Sequence, residues 1–129
     1  MSPDLIALGR RAVACPRWRW MSGMLMILDP SQPWDQQRVS RYSEDVRAAL
    51  GDDRFSPRAW ADGTAPVPYL GDPATLGWML HLVRREYAHE GVAYTYPASG
   101  GWHVIVRGRV AATGDSEAEA LVAALEAAP

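Results

Sequence analysis

An α+β fold, a small antiparallel sheet with helices packed around it in a sandwich-like single domain, is predicted by four stretches of this chain. Two segments carry helix-start chemistry ahead of helically spaced apolar residues: Asp72-Pro73, and Ser116-Glu117-Ala118-Glu119. Between them, residues 92–107 alternate in the manner of two strands around a Gly100-Gly101 turn. A separate apolar run, Met24 to Leu28, is too short for a helix and reads as a buried strand. Helices alternating with short antiparallel strands bury their apolar faces as an α+β sandwich.

Taken in order, Ser2-Pro3-Asp4 offers a hydroxyl cap, a proline at the first helical position and an acid in the first turn. A short helix follows, with Gly9 as its stop. Pro16 bars helix through the next segment, and the strand at Met24–Leu28 closes at Asp29-Pro30. From 29 to 72 five prolines break any long element; an edge strand is expected near 37–42 and a short helix over 43–50. The stretch of about 51–72 reads as a long irregular surface segment, with Trp60 inside it as an anchor to the body. The main helix starts at Asp72-Pro73 and carries Leu76, Met79, Leu80, Val83 and Tyr87 on one stripe, ending before Gly91; Arg84 and Arg85 are its solvated face. In the hairpin, Val92, Tyr94 and Tyr96 share a face, as do Trp102, Val104 and Val106, and Gly108-Arg109 turns the chain into a third strand over 110–113. The last helix opens on the capping box at Ser116 and buries Leu121, Val122 and Leu125.

At 129 residues, 48% of them apolar, the chain is long enough for one domain over residues 1–129. All thirteen basic residues are arginine, a bias that codon usage produces by itself. A net charge of −2 argues against a duplex nucleic-acid coat, which needs a basic surface for counterion release. The charge is uneven, however. Residues 1–25 hold four arginines against Asp4, whereas residues 112–129 hold four carboxylates and no base, so an attraction between the two ends is expected, either within a subunit or between subunits. A lone Cys15 and the lack of any long apolar run predict a cytoplasmic protein that does not enter the membrane.

The most specific chemistry lies in residues 10–20, where Arg10, Arg11, Arg17 and Arg19 interleave with Trp18 and Trp20. Guanidinium forks grip phosphate or carboxylate and indole faces stack on bases, so Arg11, Arg17, Trp18, Arg19 and Trp20 are candidate ligand-binding residues. The same composition also makes packing corners, in which an arginine stem covers an indole. A second candidate set lies on the hairpin: His103 and Arg107 share a face with Ile105, one strand from Tyr94 and Tyr96. That face either lines a cleft or is an ordinary half-buried sheet surface. Three histidines and one cysteine fall at no metal-ligand spacing, neither nucleotide-binding glycine loop is present, and no catalytic set is apparent, so neither cofactor nor metal is expected.

Several segments, Leu8-Gly9-Arg10-Arg11-Ala12-Val13-Ala14-Cys15, Trp18-Arg19-Trp20-Met21-x-Gly23-Met24, Asp72 to Gly77, the hairpin with Trp102 and Ser116 to Leu121, resemble small phage and prophage proteins. Among named groups, the chain resembles the phage alpha-beta-alpha sandwich domain proteins. Its opening is also faintly similar to a phage anti-defence family that sequesters a nucleotide signal of the Thoeris system, although Cys15-Pro16 replaces that family's basic stretch. The resemblance implies a non-enzymatic, homo-oligomeric protein in the host bacterial cytoplasm that sequesters a small anionic nucleotide immune signal of cyclic nucleotide or cyclic ADP-ribose type. Two other expectations stand beside it: an inhibitor that binds a host defence protein directly, and an enzyme that degrades such a signal.

Overall fold

A computed structural model describes residues 3–40, 66–87 and 93–129. Among them are three helices and two three-stranded antiparallel sheets, an α+β architecture with two small sheets where one was expected. The chain divides into two compact units, Met1–Arg10 with Trp20–Thr75, and Arg11–Arg19 with Leu76–Pro129.

In the first unit, strand β1 (Leu25–Ile27) runs between β2 (Gln36–Arg38) and β3 (Val67–Pro68). Met26 and Ile27 are buried, as the apolar run requires, while β2 is exposed throughout, as befits an edge strand. β3 corrects the expectation of an irregular surface segment there: Val67 pairs with Ile27, and both Val67 and Leu70 are buried. Two residues suffice for this pairing, too few for any alternation to register in the sequence. The expected helix over 43–50, Trp60 and most of the irregular segment lie outside the described residues.

Helix α1 (Pro3–Ala14) also differs from expectation, because Gly9 does not stop it. A Cβ at Gly9 would stand 2.9 Å from the Pro68 carbonyl oxygen and 3.1 Å from Val67 Cβ. The glycine is there for close approach between helix and strand rather than for helix termination. The helix ends instead two residues ahead of Pro16, followed by a turn in which the Trp18 amide donates to the Cys15 carbonyl at 3.0 Å.

Helix α2 (Pro73–Glu86) starts where its sequence says. The Asp72 carboxylate accepts from the Thr75 amide at 3.0 Å and from the Thr75 hydroxyl at 2.9 Å, and Arg38 donates to it at 2.6 Å. Thr75, fully buried, in turn accepts from the Leu25 amide at 2.9 Å, so the helix cap also satisfies the first amide of β1. Burial of Asp72 would raise its pKa, but the hydrogen bonds from Arg38 and Thr75 outweigh that and hold the carboxyl below its ordinary value.

The second unit contains a meander of β4 (Ala93–Ala98), β5 (Gly101–Val106) and β6 (Arg109–Gly114), backed by helix α3 (Glu117–Ala127). Ala93, Val104 and Val106 are buried on one face of the sheet, and α3, which lies against β5 and β6, is buried through Leu121, Val122 and Leu125. The Ser116 hydroxyl accepts from the Glu119 amide at 3.1 Å, the first half of the expected capping box. Its reciprocal half is shifted by one residue, since the Glu119 carboxylate accepts from the Asp115 amide at 3.0 Å. Arg84 is not simply solvated: its Nε donates to the Ala93 carbonyl at 2.8 Å, tying the last turn of α2 to the start of β4. No helix among the described residues is long and apolar enough to cross a membrane.

Candidate functional site

The arginine and tryptophan cluster is divided by the fold. Arg11 lies in the last turn of α1 and Arg17, Trp18, Arg19 and Trp20 on the connection after it, with Trp20 in the first unit and the other four residues in the second. Arg11 donates to Glu126 at 2.6 Å, which raises its pKa. Arg17 lies 3.2 Å from Glu86 and donates to the carbonyl of Pro129. The basic start of the chain thus meets its acidic end, as the charge asymmetry predicts, and two of the candidate phosphate-binding guanidinia are engaged by internal acceptors. Arg19 is exposed, while Trp18 and Trp20 are half-buried. Since Arg11 and Glu126 are 45% and 39% exposed, their pair sits in high dielectric. Arg11→Ala should therefore lower stability by less than about 1 kcal/mol in urea unfolding, with a similar value for Glu126→Ala.

The hairpin set behaves differently. Register places Tyr94 opposite Ile105 and Tyr96 opposite His103, so Tyr94, Tyr96, His103 and Ile105 occupy the face of the sheet away from α3. That face is open: Tyr94 is 48% and Tyr96 54% exposed, and Val110, paired with Ile105 next to a bulge in β6, is exposed as well. The structure therefore brings Tyr94, Tyr96 and His103 together on a solvent-facing aromatic surface, neither in a core nor inside a deep cleft. Arg107 needs correction, because β5 ends at Val106. Arg107 (φ 54°) and Gly108 (φ 73°) both have positive φ and form the two-residue turn joining Val106 to Arg109. The guanidinium thus stands at one end of the sheet instead of within the strand face. Arg109 follows, paired with Val106 and so on the helix side.

At the opposite end lies a shallow cleft of about 130 Å³, lined in part by Gly100, Gly101, His103, Thr113 and Asp115. Asp115 also belongs to this surface although nothing in the sequence singles it out there; only the pairing of β5 with β6 brings the residue after Gly114 to the cleft that His103 lines. Cys15 is buried, and its Sγ donates to the Leu125 carbonyl at 3.5 Å, the environment of a small apolar residue. His81 contacts Trp78 edge-on at 5.3 Å, one turn away on α2. Among the described residues no three His, Cys, Asp or Glu side chains group at metal-binding range.

The chain matches no family model, no curated protein and no solved structure. Its function rests on the chemistry of its own surfaces. One further exposed aromatic belongs to the first unit: Trp34, 75% exposed on the β1–β2 connection. That connection is internally bonded, since Asp29 accepts from the Ser31 amide and hydroxyl at 2.9 and 2.7 Å, which lowers the pKa of Asp29. The Asp35 amide donates to the Gln32 carbonyl at 3.0 Å.

Proposed function

We propose that this protein binds a small anionic ligand bearing an aromatic base, without catalysis, on the open face of the β4–β5–β6 sheet. The observation that carries this reading is the pair of exposed tyrosines, Tyr94 and Tyr96, on one face in register with His103. Exposed rings on an antiparallel sheet backed by a helix are a stacking platform for bases. Arg107 at the end of that sheet supplies a fork for phosphate. In the setting implied by the resemblance to phage proteins, such binding sequesters a nucleotide immune signal in the cytoplasm of the infected bacterium, with homo-oligomerisation enclosing a ligand that one open sheet leaves half exposed.

Native mass spectrometry with a panel of cyclic oligonucleotides and cyclic ADP-ribose isomers tests this. A stoichiometric complex, released intact on denaturation and lost in Tyr96→Ala and Arg107→Ala but kept in Arg17→Ala and Trp20→Ala, is the expected result. The reverse pattern would move the site to the N-terminal cluster, and loss of the nucleotide in solution would point to a degrading enzyme. Trp34 favours a second reading, direct binding of a host defence protein, because an indole held out on an internally bonded loop is a typical interface anchor. In that case Trp34→Ala abolishes association with the protein partner and no nucleotide is retained.

A further inference from the structure

Resting on the reading of the open sheet as a nucleotide platform, we infer that its ligand spans two bases, one for each tyrosine, and is not a mononucleotide. Residues two apart on a strand are separated by about 6.6 Å along it, roughly twice the 3.4 Å step between bases stacked on each other. Two flat bases lying on Tyr94 and Tyr96 are therefore splayed, each against its own ring, with His103 opposite Tyr96 and Ile105 opposite Tyr94 completing the two positions.

The charge at the two ends of the sheet points the same way. Asp115 lines the same cleft as His103 and Thr113, and a carboxylate there repels phosphate but accepts hydroxyl and amine donors. Arg107, in the turn at the far end, attracts phosphate. His103 lies three residues, about 10 Å of strand, from Val106 at the end of β5, and Arg107 stands in the turn beyond it, so a ligand engaging the cleft and the guanidinium together must extend beyond one nucleoside. The surface thus fits a dinucleotide, linear or cyclic, that runs from the cleft at Asp115 past Tyr96 and Tyr94 toward Arg107.

The test is isothermal titration of the full chain with AMP and with the linear dinucleotide of adenosine, using wild type, Tyr94→Ala, Tyr94→Phe and Arg107→Ala. The dinucleotide should bind wild type about tenfold more tightly than AMP, the effect of one added stacked base. Tyr94→Ala should bring the dinucleotide down to the AMP level while AMP itself changes less than about twofold, and Tyr94→Phe should restore the difference. Equal affinity for the two ligands, or equal loss of both in Tyr94→Ala, would mean that a single base inserts between the rings; the two-base inference would then fail with the platform intact. Binding of neither ligand, nor of the cyclic panel, would overturn the platform itself.

Discussion

Gly114→Ala is expected to destabilise the second unit by about 3 kcal/mol, the upper range for overpacking a fitted interior. Gly114 ends β6, and the chain is already at the cap of α3 two residues later. A Cβ on it would stand 2.5 Å from the Ala120 amide nitrogen and 2.9 Å from the carbonyl carbon and Cβ of Glu119. Two of those atoms are helix backbone, which cannot rotate away as a side-chain end can. Relief requires α3 to lift from the sheet, which loosens the Ser116 cap and the fully buried Leu121 and Leu125 together. Urea unfolding provides the measurement. Gly108→Ala is the internal comparison: no atom lies within 4 Å of a Cβ there, so only the positive φ of 73° is penalised, at about 1 kcal/mol. Equal losses for the two variants would show that crowding at the β6–α3 corner is not what selects glycine.

Thr75→Val should cost about 2 kcal/mol, since it keeps the shape but leaves the Leu25 amide without its acceptor and removes one of the donors to Asp72. Thr75→Ser, which retains the hydroxyl, should lose less than half as much. The same network sets a pH dependence. Because the folded pKa of Asp72 lies below its unfolded value, its contribution is fully present above about pH 4 and is lost as pH falls through the lower folded value. Acid titration of stability should therefore show a shallower decline in Asp72→Asn than in wild type. An identical acid limb in both would mean that the Arg38 and Thr75 bonds are not selective for the ionised carboxyl.

The parts of this fold legible in the chain are those governed by neighbouring residues. Asp72-Pro73 and Ser116 start helices because their side chains reach amides three residues on, and the Val104/Val106 alternation marks a buried face wherever the strand is placed. The attraction between the basic start and acidic end was also legible, since charge acts over longer distances than shape does. The candidate site was half legible: strand alternation puts Tyr94 and Tyr96 on one side in any hairpin, but whether that side meets a core or water is not written in the alternation.

The sequence by itself determined the α+β class, the starts of α2 and α3, the hairpin and its two faces. Tertiary structure decided the rest, for reasons of distance and partner. Gly9 reads as a helix stop, yet it lies mid-helix; it and Gly114, at the end of β6, are each chosen for the backbone that approaches them. Val67–Pro68 becomes a strand only because β1 offers it an edge. Arg11 and Arg17 resemble phosphate ligands until Glu126, Glu86 and the Pro129 carbonyl come within reach, more than sixty residues away in sequence. A guanidinium takes whichever anion the fold brings to it, and no local pattern records which one that will be.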